Sequence, residues 1–169
     1  MKRGGWTIPR LLAIGTALAL ILFWIWILSG APKKQNPDRL HDRAWVARSE
    51  ATCAASMRRV DALPPAQATK DAKARAEVVE RADDELATML DKLTADRPDD
   101  ASDRELVGKW LADWRRYLGN RRDYAAALRK NPKARLFVDE KFNDSIETVV
   151  STFAQVNDMD SCATPTDVS

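Results

Sequence analysis

The sequence predicts an all-α protein: one N-terminal transmembrane helix, followed by an up-and-down antiparallel bundle of about four helices. Three observations predict it. Leu11 to Leu28 is an unbroken run of 18 uncharged, mostly apolar residues. The rest of the chain carries apolar residues at helical spacing, in segments separated by proline-containing breakers. Glycine is scarce, at 6 residues, and alanine is abundant, which favours helix over sheet.

The apolar run sets the first boundary. At about 1.5 Å per residue it reaches roughly 27 Å, close to the hydrocarbon thickness of a bilayer. Trp6 precedes it, and Trp24 and Trp26 lie near its far end, in the manner of interfacial aromatic belts. A cleaved signal peptide has a shorter apolar region. The one cleavage-like pair, Ser29-x-Ala31, is followed by Pro32, a poor context for a peptidase. The reading is an uncleaved signal-anchor whose partner is the lipid bilayer. It divides the chain into a tail (1–10), a transmembrane helix (11–28), a linker (29–38), a bundle domain (39–160) and an irregular tail (161–169).

Charge does not orient the anchor. Lys2, Arg3 and Arg10 lie on one side, and Lys33, Lys34, Arg39 and Arg43 on the other. The two cysteines, Cys53 and Cys162, both follow the anchor. An even pair suits an oxidising compartment and makes them a disulfide candidate, with two buried thiols in a cytosolic domain as the alternative. The expected localisation is therefore the cell membrane, single-pass, with the N-terminus cytoplasmic and the helical domain extracytoplasmic.

Linker prolines Pro32 and Pro37 separate anchor from domain. The first bundle helix is expected over 39–62, ending at Pro64-Pro65, with Val46, Cys53, Met57 and Val60 on one face. The second is expected over 66–95, with a seam of Ala72, Ala76, Val79, Leu86, Leu90 and Leu93 in which Asp83 takes one slot. The third is expected over 102–130, with Ser102 as N-cap and Glu105 completing a capping box. Its stripe is Val107, Leu111, Trp114, Leu118, Ala125 and Leu128, ending at Asn131-Pro132. The fourth is expected over 134–159, with a seam of Val138, Phe142, Ile146, Val149, Phe153 and Val156.

Charge is segregated along the domain. Asp103–Val138 carries ten basic and four acidic residues, Pro64–Asp100 six and ten, and Asp139–Asp160 one and six. A basic third helix between acidic neighbours matches charge along both seams, which selects pairing more than it drives folding. The part after the anchor has 24 basic and 25 acidic residues, a net of −1, which gives no support for nucleic-acid binding.

Little in the sequence points to chemistry. There is one histidine, His41, and no glycine-rich phosphate loop, nucleophile elbow or Cys-x-x-Cys pair. No metal site, cofactor or catalytic residue is expected, and the chain is not read as an enzyme. Trp110, Trp114, Tyr117 and Tyr124 share a face with Arg121, an arrangement that suits core packing better than a cation cage. Trp114, Tyr117 and Arg121 are the candidate ligand pocket. Asp83 and Arg121 stand where the seam expects aliphatic residues, with Glu77 near the level of Arg121; such residues set register or mark a pocket. Arg115, Arg122 and Arg129 recur every seven residues and form a candidate interaction face.

The expected function is a protein-interaction or scaffold component of the bacterial cell envelope, with a protein partner of unknown identity. The alternative is an extracytoplasmic ligand-sensing or carrier bundle. A self-associating secretion-apparatus component is a third, weaker reading.

Overall fold

The computed structural model describes residues 8–28 and 36–168, without the side chains of Ile8, Arg10, Leu11 and Gln67. Lys2, Arg3, Trp6, Lys33 and Lys34 and most of the predicted linker lie outside the described residues. The chain divides into two compact units, Met1–Asn36 and Pro37–Ser169.

The first unit holds helix α1 (Ile8–Leu28), 21 residues long. Every side chain described from Leu12 to Leu28 is exposed. Among the described residues no helix is long and apolar enough to cross a membrane. The side chain of Leu11, the first residue of the predicted 11–28 run, lies outside the described residues.

The second unit is a helical bundle of α2 (Arg43–Asp61), α3 (Ala72–Ala95), α4 (Ala101–Lys130) and α5 (Ile146–Val156). Each helix begins at an acidic or hydroxyl cap. Asp42 accepts the Trp45 amide, Asp71 that of Ala74, Asp100 that of Asp103, and Ser145 that of Thr148. Such caps satisfy amides that have no partner within the helix, and each contributes about 0.5–2 kcal/mol. They also correct three predicted starts, the first being α2, which begins at Arg43 after the Asp42 cap rather than at 39. The segment after Pro65 makes a 3-10 turn, Ala66–Ala68, and α3 waits for Asp71. The α4 cap is Asp100 rather than Ser102, whose hydroxyl instead bonds the Asp100 carboxylate.

The fourth predicted helix needs the largest correction. Asn131-Pro132 ends α4, and the chain then runs without helix to a hairpin of β1 (Glu140–Lys141) and β2 (Asp144–Ser145). Phe142 and Asn143 at its tip have φ of 59° and 63°, the left-handed pair of a tight hairpin turn. Phe142 is 81% exposed, so it belongs to no seam. In α5 the buried residues are Ile146, Val150 and Ala154, one face rotated from the predicted stripe. The helix stops early because Asp158 takes φ of 60°. The Asp158 and Met159 amides then return to the Gln155 and Ala154 carbonyls, a Schellman ending.

Cross-helix contacts show that α2, α3 and α4 alternate in direction and that α5 packs on α4. Arg48 meets Asp96 and Arg59 meets Glu85, setting α2 against α3. Arg115 meets Thr94, Arg121 meets Asp83 and Arg129 meets Glu80, setting α3 against α4. The Trp110 indole donates to the Val150 carbonyl at 3.1 Å and its ring stacks on Phe153, setting α4 against α5. The core runs between these helices through Trp45, Leu86, Met89, Leu93, Trp114 and Ile146.

Cys53, mid-way along α2, is bonded to Cys162 in the 3-10 turn Asp160–Cys162, with Cα atoms 5.1 Å apart and a sequence separation of 109. In the chain-entropy account a loop of this size contributes about 4–5 kcal/mol. Urea unfolding of the full chain in detergent, followed by helix content, is expected to show reductant lowering the stability by about that amount; the double substitution Cys53→Ser with Cys162→Ser should reproduce the loss.

Candidate functional site

The most unusual group in the domain is a guanidinium with no exposed surface. Arg121 lies on the inward stripe of α4 with Tyr117, Leu118, Tyr124 and Ala125, and helical spacing places it in the core. Asp83 occupies the matching position on α3, with a side chain 2% exposed. Arg121 Nε donates to Asp83 Oδ1 at 2.5 Å. Its two terminal nitrogens donate to both oxygens of Asp167, at 2.7 and 2.8 Å. Its guanidinium carbon lies 5.8 Å from the Tyr117 ring centroid, and Tyr117 packs edge-on against Trp114.

One cation therefore faces two carboxylates. Asp83 Oδ2 is buried and has no hydrogen-bond partner. Burial pushes the Asp83 carboxyl up to about 6, against the pull of Arg121 and with a further push from the Asp167 charge. Burial also opposes the charge on Arg121, but its bonds to Asp167 and the charges of Asp83 and Asp167 hold it above the ordinary arginine range. Burial raises the Tyr117 phenol as well.

The predicted pocket residues thus come together, but the space between them is filled. Trp114 is fully buried, and its indole donates to the Cys162 carbonyl at 3.3 Å. Of the three, Tyr117 lines a groove. That groove, about 460 Å³, lies between α5 and the tail and is lined also by Thr148, Ser151, Gln155 and Thr164. A second groove, about 450 Å³, runs beside Arg75, Tyr124, Arg135, Glu147 and Val168. Both are open to solvent.

The basic face is partly engaged. Arg115 donates to the Thr94 hydroxyl at 2.6 Å and Arg129 forks onto Glu80, while Arg122 is exposed. Glu77 acts on the charge of Arg129 rather than sitting level with Arg121. Arg116 turns to the opposite side and pairs with Asp139 at 2.6 Å.

Several buried polar residues had no periodic signal in the sequence. Asp103, fully buried, accepts the His41 and Asp42 amides at 2.8 and 2.7 Å. Asn157, also buried, accepts the Leu40 amide and donates to the Asp38 and Phe153 carbonyls. Together they pin the chain's entry into the bundle against α4 and α5. His41, Asp100 and Asp103 can bring three ligand atoms within 4.8 Å of one another, the one such group among the described residues. Asp103 is already spent on capping amides and on His41 Nδ1 at 3.1 Å.

No family model, no curated protein and no solved structure matches the chain.

The Asp83 shift carries a pH consequence. Its carboxyl is higher in the folded chain, at about 6, than its ordinary 3.8. Between those values the folded chain holds a proton that the unfolded chain has released, so stability rises as pH falls through that window. Asp42, Asp96, Asp100, Glu105 and Asp139 are shifted downward, and their contributions are lost only at lower pH. Urea midpoints at about pH 7.5 and about pH 5 are expected to show the parent chain gaining more stability on acidification than Asp83→Asn, which has no carboxyl to protonate.

Proposed function

We propose that the protein is a membrane-anchored interaction component of the bacterial cell envelope, with α1 in the bilayer and the disulfide-bonded bundle on the extracytoplasmic side. The observation that carries the reading is the uncharged run Leu11–Leu28 inside the 21-residue helix α1. Its side chains described from Leu12 onward find no core: Leu12 is 67% exposed, Leu22 64% and Leu28 79%. Water disfavours such a surface and hydrocarbon does not. The Cys53–Cys162 bond supports an oxidising compartment for the domain. The face of Arg115, Arg122 and Arg129 is the proposed contact for a protein partner. A carrier reading would need room beside Trp114 and Arg121, and the core is closed there.

Two measurements test the two halves of this reading. Full-length chain is expected to stay with membranes after an alkaline wash. Leu18→Arg combined with Leu22→Arg should release it, since each arginine at mid-bilayer costs about 2.5–3.5 kcal/mol. Parent chain that washes off with α1 intact would end the anchor reading. For the contact face, Arg122→Glu leaves the Glu80 and Thr94 bonds in place and is expected to change stability by less than about 0.5 kcal/mol. In-cell cross-linking should show it losing a neighbour that the parent chain captures; an unchanged set of neighbours removes Arg122 from the contact.

A further inference from the structure

We propose that Arg121 is the anchor of a binding site for an acidic peptide, a segment with a carboxylate followed by an aliphatic residue, and that the chain's own tail occupies this site as a displaceable ligand.

The argument begins with charge balance. Asp83 alone neutralises Arg121 inside the bundle. Asp167 is a second carboxylate on the same guanidinium, surplus to neutrality, and its repulsion adds to the strain on Asp83. Removing Asp83 would leave the tail as the only counter-ion of a buried cation. Removing Asp167 leaves a neutral pair with an open fork. Two parallel bonds from terminal guanidinium nitrogens to both oxygens of one carboxylate are the geometry by which arginine selects carboxylates.

The route to the site is open on the tail side. Arg121 and Asp83 have side chains 0% and 2% exposed, whereas that of Asp167 is 21% exposed. Beyond the disulfide at Cys162 the backbone is extended at Ala163 and turns at Asp167 and Val168, and Ser151 holds the segment through the Thr164 amide and hydroxyl at 3.2 and 3.0 Å. Val168 packs on the apolar cluster of Ala66, Ala76, Val79, Tyr124 and Leu128. Consecutive residues thus make one ionic and one aliphatic contact, a two-point recognition that an incoming peptide can copy. The grooves on either side are lined by Ser151, Gln155 and the buried Tyr117 in one, by Arg75 and Arg135 in the other, and by Glu147 in both. Their hydroxyls and two arginines suit a peptide with an acidic side chain, with Glu147 setting where a second acid is excluded.

Tethering gives the tail an effective concentration in the millimolar range, so a free peptide competes poorly until the tail is disabled. The test uses the full chain in detergent and a fluorescent peptide with the sequence of residues 163–169, read by anisotropy. Asp167→Asn combined with Val168→Ser should bind it about tenfold or more tighter than the parent chain. On that opened variant, a peptide with the acid changed to Asn should bind about tenfold or more weaker, as expected for a lost charged hydrogen bond, and one with Val changed to Ser should also weaken. An opened variant that keeps its helix content but binds no peptide, or binds the Asn peptide equally, overturns the proposal. Equal competition by sodium acetate would assign the site to small organic acids and overturn the peptide. If the opened variant does not fold, hydrogen exchange in 163–168 of the parent chain decides: excess peptide should accelerate it, and unchanged exchange counts against displacement. The inference rests on the interaction reading only for the existence of a partner; lost peptide binding leaves bilayer partition intact, and lost partition leaves this site intact.

Discussion

The bundle depends on satisfying one buried guanidinium. An unpaired cation in a protein core is untenable, so every arrangement of α3, α4 and the tail must bring carboxylates to Arg121. Asp83 does this from α3 and thereby fixes how far α3 slides along α4. The apolar seams alone are repetitive, with leucine, valine and alanine recurring each turn, and would tolerate slippage by a turn. The Arg121–Asp83 bond does not, because a shift of one turn moves the two groups several ångströms apart. Asp167 does the same for the tail, which joins the core although it belongs to no helix.

A second constraint closes the domain on itself. Its first residues and its last helix are joined by side chains rather than by sheet or helix bonds. Asn157 holds the Leu40 amide, Asp103 holds the His41 and Asp42 amides, and Asp158 takes Arg39 and Arg43. The disulfide ties the middle of α2 to the residues just beyond α5. Chain entry, chain exit and the start of α4 therefore form one cross-linked end. The long stretch between α4 and α5, by contrast, is held by Asn120 and Arg116 on Asp139, by Asp113 on Lys141, and by Ala134, Leu136 and Val138 against the core.

Much of the fold was legible because helices advertise themselves locally. The seams of α2, α3 and α4 carry apolar residues three and four apart, and their stops are marked by Pro64, Pro98 and Pro132. The fourth helix was misjudged for a physical reason. Val138, Phe142 and Ile146 have helical spacing, but spacing cannot tell a buried phenylalanine from one at the tip of a hairpin. What ends the resemblance is a tertiary bond, the Asp139 amide on Asn120, and a cap at Ser145. In the candidate site, Asp83 and Arg121 stood out as polar residues in apolar seams. Glu77 lies six residues, nearly two helical turns, from the Asp83 that meets Arg121, and Asp167 carried no signal at all, because a lone aspartate in a polar tail resembles any other.

By itself the sequence determined what depends on near neighbours: the helical class, the apolar run of α1, the inward stripes of α2 to α4, and the two cysteines available to pair. Only the tertiary structure decided what depends on distant partners. It chose Asp167 for Arg121 and Asn120 for the Asp139 amide. The division follows from range. Backbone propensity and side-chain periodicity act over a few residues, whereas a buried charge is satisfied by whatever group the fold brings to it, 38 residues away for Asp83 and 46 for Asp167.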